Sequence, residues 1–181
     1  MLKKSGAGVR PLRCVVATVA AARASVKEDV TQVVVDSVRA AGFVVERMVT
    51  VNREKAFIHE LVLSIGGSNE ADAILLIGGV GIGARDLTCE ALDELVDRRM
   101  DGFGEAYRRL LVDAGESVAN IVTGRAMAGV YNGCVVVALP RQTRTIVRRT
   151  MQTLVVPMLP RAVRIAIPPV APESHAELSS P

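Results

Sequence analysis

The sequence predicts a three-layer α/β/α domain built on a mainly parallel β-sheet. Three observations carry this expectation. Short β-branched runs alternate with longer segments whose apolar residues follow helical spacing. The runs are continuous, without the in–out alternation of a strand with one wet face, as in strands covered on both sides. The chain has 181 residues, about the length of one domain. Half of it is hydrophobic and 23% charged, enough to bury a core and unlike a disordered composition.

In order, the first strand is Arg13–Val19. The basic residues Lys3, Lys4, Arg10 and Arg13 before the apolar stretch Cys14–Ala22, with Ala22-Arg23-Ala24 after it, also outline a secretory signal. The break at Thr18, the valines and alanines in place of leucine, and the arginine inside the cleavage-like triplet favour the strand. A helix follows over Val26–Ala41, with Val26, Val30, Val33, Val34 and Val38 on one face and Gly42 as its stop. Phe43–Val51 is the second strand. Arg53–Ile65 is the second helix, closed by Gly66-Gly67, and Ala73–Ile77 is the third strand. Beyond a glycine-rich turn, a helix begins near Thr88 with Ala91, Leu92, Leu95 and Val96 inward and Asp93, Glu94, Asp97 and Arg98 outward. Gly104–Ala114 is a further helical piece. Asn120–Thr123 and Ala126–Tyr131 read as short strands, Asn132-Gly133 as a hairpin turn, and Cys134–Leu139 as a buried strand. A last helix, 143–158, stops near Pro157 and Pro160. Residues 1–12 are expected to be a flexible basic arm, 13–165 the folded domain and 166–181 a loose proline-rich tail.

Composition narrows the function. No apolar stretch approaches the roughly 18 residues of a membrane-spanning helix, so no membrane partner is expected. Three dispersed cysteines and two histidines form neither a disulfide scaffold nor a zinc ribbon. The net charge of +3 is uneven. Arg141, Arg144, Arg148, Arg149, Arg161 and Arg164 fall in a segment without an acid. With no Trp, two Tyr and three Phe there are no stacking platforms for nucleic acid, and none is expected as a partner. The basic segment suits a solvated helix face, a subunit contact or a small phosphorylated ligand.

In an open parallel sheet, ligands bind beyond the carboxyl ends of the strands. That singles out the loops after Val19, Ile77 and Leu139. The second of these runs Gly78-Gly79-Val80-Gly81-Ile82-Gly83-Ala84-Arg85-Asp86-Leu87-Thr88. Its glycines let the backbone turn sharply and bring N–H groups to an anion. Thr88 can cap the next helix and add its dipole. It is neither a Walker loop, lacking Lys-Ser/Thr, nor a Rossmann Gly-x-Gly-x-x-Gly. On glycine content alone a plain structural turn fits equally well.

The order of motifs goes further. Gly-Gly-x-Gly, then Arg85-Asp86-x-Thr88-x-Glu90-Ala91, then Gly102-Phe103-Gly104-Glu105 and Arg108, then Arg125-Ala126-x-Ala128-Gly129-Val130 and Leu139-Pro140, resembles the MoaB/MogA-type molybdopterin-binding family of molybdenum cofactor biosynthesis. The resemblance spans about residues 12–160. It implies a cytoplasmic homo-trimer or hexamer with the three-layer fold above, molybdopterin as ligand and its adenylylation with Mg²⁺ and ATP. By position it implies substrate binding by Gly78, Gly79, Val80, Gly81, Arg85, Thr88, Asn52, Leu139, Pro140 and Arg141, and a catalytic and metal-binding role for Asp86. Phosphoryl transfer needs positioning and charge neutralisation, which a carboxylate-held Mg²⁺ supplies.

Four departures from the family pattern fall on the binding loops. Thr18-Val19-Ala20-Ala21, followed by Glu28-Asp29-Val30-Thr31, stands where Ser-Asp and Asp-x-Ser-Gly are usual. Asn52 replaces an acid, Val80 a threonine, and Arg141-Gln142-Thr143 a small Gly-Ser-Pro loop. An active adenylyltransferase and a catalytically degenerate paralogue with a binding, regulatory or structural role are therefore both expected readings.

Overall fold

The computed structural model describes residues 10–20 and 30–166. Glu28, Asp29, the first turn expected for the helix from Val26, and the tail lie outside the described residues. Among the described residues, six strands form one sheet in the order β2-β1-β3-β6-β5-β4. Four of them, β1 (Arg13–Val19), β2 (Val44–Val51), β3 (Ala73–Ile77) and β6 (Cys134–Leu139), run parallel. The strands β5 (Met127–Tyr131) and β4 (Arg98–Arg99) close one edge antiparallel. Cys14–Val19 is thus an interior strand, paired on both sides.

Its continuous apolar character follows from its position. Cys14 and Val16 point into one core with α1 (Val30–Ala40), while Val15, Ala17 and Val19 point into another with α2 (Lys55–Ser68). Both faces are covered, so a polar residue enters only with a partner: the buried Thr18 hydroxyl lies 2.7 Å from that of Thr31 on α1. Gly42, at φ +78°, ends α1 as expected, and Phe43 N–H reaches back to Val38 O.

Five local expectations are corrected. Helix α2 continues through Gly66-Gly67 and ends at Asn69, in the left-handed region at φ 56°. Gly66 is there for packing: a Cβ would lie 2.6 Å from the Tyr131 ring. Helix α3 (Thr88–Asp93) is only six residues long, because Arg98 and Arg99 leave it to pair with β5 as an edge strand. Helix α4 (Asp101–Asp113) starts three residues early. Asn120–Thr123 belongs to a helix, α5 (Val118–Thr123): the Ser117 hydroxyl accepts from Asn120 N–H and caps it, and no strand neighbours this exposed segment. The final helix does not stop at the prolines. It runs as α6 (Arg144–Thr150), a π-helical turn Met151–Val155, and α7 (Val156–Ala166). The wider π turn accommodates residues that break the i−4 ladder, and buried Leu159, Ala162, Val163 and Ala166 reward continuation.

The amino-terminal arm is anchored earlier than residue 13. Arg10 donates two 2.7 Å bonds to Asp72, whose carboxylate also accepts Arg13 N–H at 2.8 Å. Burial alone would raise the Asp72 pKa; these donors outweigh it and hold the carboxyl below its ordinary value. No helix among the described residues is long and apolar enough to cross a membrane.

Candidate functional site

The carboxyl ends of β1, β3 and β6 meet at a cleft of about 330 Å³. It is lined by Val19 at the end of β1 and Ala20 after it, Arg53 before α2, Gly78–Gly81 and Asp86 after β3, and Pro140 and Arg141 after β6. All three loops expected from strand direction therefore contribute.

Two glycines make the junction possible. Gly78 sits at φ +112°, and its Cβ would fall 2.6 Å from Val19 O and 3.2 Å from the Arg141 Cδ. Gly79 sits at φ +65°, and its Cβ would fall 2.4 Å from the Thr88 hydroxyl. A side chain at Gly78 would collide with the end of β1, and one at Gly79 with the first residue of α3. Gly78 N–H donates to Leu139 O at 2.8 Å, tying the β3 and β6 termini together.

The residues singled out by sequence separate into three groups. Gly78, Gly79, Val80, Gly81, Asp86, Pro140 and Arg141 line the cleft together. Asn52 and Arg85 line an adjoining cleft of about 250 Å³ with Arg53, Glu54, Ala84 and Leu87, and Asn52 Nδ2 donates to Glu54. Thr88 and Leu139 stand behind the wall, both buried. Thr88 does not cap its helix, where Leu87 occupies the cap position. Its hydroxyl instead donates to Gly78 O at 2.9 Å and its N–H to Gly79 O at 2.8 Å, locking the loop.

Charge in the cleft is arranged around Asp86. Its Oδ2 accepts Gly83 N–H at 3.3 Å, and its Oδ1 lies 4.0 Å from the Arg53 guanidinium. A Cβ on Gly81 would lie 2.5 Å from that carboxylate, so the absence of a side chain makes room for it. Among the described residues, two guanidiniums, Arg53 and Arg141, share the cleft with a single carboxylate. The balance suits a bound anion.

The Mg²⁺ that the resemblance implies does not fit these residues as a resident ion. Mg²⁺ wants an octahedron of oxygens. Among the described residues no three His, Cys, Asp or Glu side chains are grouped to hold a metal, and Asp86 already faces a guanidinium.

Two arginines were given no site role from the sequence. Arg53 lines both clefts. Arg125, behind the glycine loop, donates to Val80 O at 2.9 Å, Gly81 O at 2.5 Å, Asp86 O at 3.2 Å and both oxygens of Glu90. Bonding to Glu90 raises the Arg125 pKa, and Arg125 in turn holds the Glu90 carboxyl below its ordinary value. The signal was the second motif, Arg125-Ala126-x-Ala128-Gly129; what it could not give was the arginine's destination 44 residues upstream. The thiols offer no nucleophile: burial pushes Cys89 up to about 11 and Cys14 and Cys134 up to about 12.

Fold and site together define a doubly covered α/β domain with a cationic, glycine-walled cleft at the carboxyl ends of its parallel strands. The chain belongs to the family described as probable molybdopterin binding domain, whose profile matches residues 15–161. It is 31% identical over 155 residues, 86% of this chain and 90% of the relative, to molybdenum cofactor biosynthesis protein B of Halalkalibacterium halodurans. Over 71 residues, 39% of this chain and 42% of the relative, it is 39% identical to a probable molybdopterin adenylyltransferase of Methanocaldococcus jannaschii. A crystal structure of a molybdenum cofactor biosynthesis protein B superposes with a TM-score of 0.78 at 27% identity, covering 87% of this chain and 96% of that one.

Proposed function

We propose that this protein binds molybdopterin through its phosphate and serves molybdenum cofactor biosynthesis in the cytoplasm as a trimer or hexamer. The observation that supports this most is the meeting of Arg53 and Arg141 with Gly78–Gly81 in one cleft. Guanidiniums and glycine N–H groups are a natural pair for a phosphate dianion. The names of the relatives supply the pterin.

A second reading, adenylyl transfer from Mg²⁺-ATP to the bound molybdopterin, draws on the name of the Methanocaldococcus relative and on Asp86. One carboxylate among the described residues, facing Arg53, weighs toward binding over transfer, because moving the adenylyl group from ATP with pyrophosphate as the leaving group needs more neutralisation of charge than these residues arrange. The test measures molybdopterin binding and, separately, AMP-molybdopterin formation in a single turnover. Binding with transfer slower by orders of magnitude than in an active family member is expected. Asn52→Asp is expected to raise the transfer rate, and adding Arg141→Gly to raise it further. Transfer by the unaltered chain at the rate of an active relative would establish the second reading.

A further inference from the structure

We propose that Arg125, which does not line the cleft, is the positioning residue that turns the loop's amides toward a bound phosphate. This rests on the anion-binding reading above and goes beyond it by assigning the phosphate's backbone donors and the group that aims them.

The geometry is that of a clamp. The Arg125 guanidinium, which is not among the residues lining the cleft, takes the carbonyl oxygens of Val80 and Gly81 at 2.9 and 2.5 Å. In a trans peptide the N–H points opposite to the C=O of the same unit, and the described chain has no cis peptide. Holding Val80 O backwards therefore aims Gly81 N–H forwards, and holding Gly81 O backwards aims Ile82 N–H forwards. Gly81 lines the cleft while Arg125 does not, which is why we take the cleft to lie on the forward side. Neither N–H has a hydrogen-bond partner among the described residues. Two adjacent outward N–H groups are the donor half of an anion nest.

The orientation is not one the loop would keep unaided. Beyond Gly78 and Gly79, which Thr88 holds, the glycines at 81 and 83 leave the backbone several conformations of similar energy. A flipped peptide at 80–81 or 81–82 would present a carbonyl oxygen to the anion and repel it. The planar guanidinium is suited to hold two carbonyls and a carboxylate together; Glu90, bonded at 2.6 Å, fixes its plane. A lysine would restore the charge without the fork.

The test follows backbone amide signals by NMR while inorganic phosphate is added to the unaltered protein, Arg125→Gln and Arg125→Lys. In the unaltered protein, Gly81 and Ile82 amides are expected to move downfield as phosphate binds. Both variants are expected to bind at least tenfold more weakly and to lose that movement, with methylguanidinium restoring part of it in Arg125→Gln. A role through charge alone would leave Arg125→Lys binding normally, which would overturn the proposal. So would phosphate binding to the unaltered protein that leaves the two amides still, a result that needs no variant to fold and spares the anion-binding reading. No phosphate binding by the unaltered protein would overturn both.

Discussion

Two aspartates at opposite ends of β3 face arginines in opposite ways. Asp72, just before the strand, has a side chain 5% exposed and accepts from both terminal nitrogens of the Arg10 guanidinium and from Arg13 N–H. Asp86, in the loop beyond the strand, is 27% exposed, accepts one long bond from Gly83, and meets Arg53 only at 4.0 Å. The first carboxylate is finished; its charge is consumed by the fold. The second is incomplete, and so is its arginine. A protein stabilises itself at one end of a strand and leaves chemistry unsatisfied at the other.

The comparison breaks most sharply in stability. Asp72→Ala strands Arg13 N–H and releases Arg10, and is expected to cost about 2–3 kcal/mol, less than a fully buried pair because Arg10 can rehydrate. In thermal unfolding that is a fall of roughly 5–10 °C. Asp86→Ala should leave the midpoint nearly unchanged. Equal losses from the two would mean that Asp86 is structural after all.

Next comes the wall behind the cleft. Gly78→Ala places a methyl 2.6 Å from Val19 O at a φ of +112°, and should cost about 1–3 kcal/mol in denaturant unfolding. The cleft end is then rigid in its backbone and open only in its side chains. A third effect falls on binding alone: Arg141→Ala is expected to weaken phosphate affinity about tenfold, near 1.4 kcal/mol, without moving the unfolding midpoint. Unchanged affinity would reduce Arg141 to a cleft filler.

The smallest effect is acid sensitivity. The Asp72 carboxyl has a folded pKa below its unfolded value, so its contribution is complete above about pH 4 and disappears as pH falls through the folded value. Unfolding midpoints measured from pH 5 down to pH 2 should fall less steeply in Asp72→Asn than in the unaltered protein. Parallel curves would show that Arg10 and Arg13 do not perturb the group.

What the sequence disclosed, and what it withheld, divides along the same line. The interior strands were legible because a strand covered on both faces has to be almost wholly apolar, as Cys134–Leu139 is and Cys14–Val19 is apart from Thr18. The glycine loop was legible because Gly78 and Gly79 occupy conformations other residues avoid. The segment 120–123 was misread because its β-branched composition outweighed the Ser117 cap three residues earlier. Gly66 was misread as a helix stop because its reason, the Tyr131 ring, lies 65 positions away. The site was incomplete for that cause too. Arg53 and Arg125 are ordinary arginines in their local context, and only tertiary placement gives one to the cleft and the other to the loop behind it.

The strand order has a consequence for the growing chain on the ribosome. β1 and β3 pair as soon as residue 77 has emerged, yet β3 waits for β6, which begins at residue 134. During that interval Ala-Ile-Leu-Leu-Ile presents an unpaired, wholly apolar edge. Non-local pairing of this kind slows folding and leaves the nascent intermediate prone to association. Synthesis of the last sixty residues of the sheet is therefore the interval in which the half-built protein depends most on being shielded from its own copies.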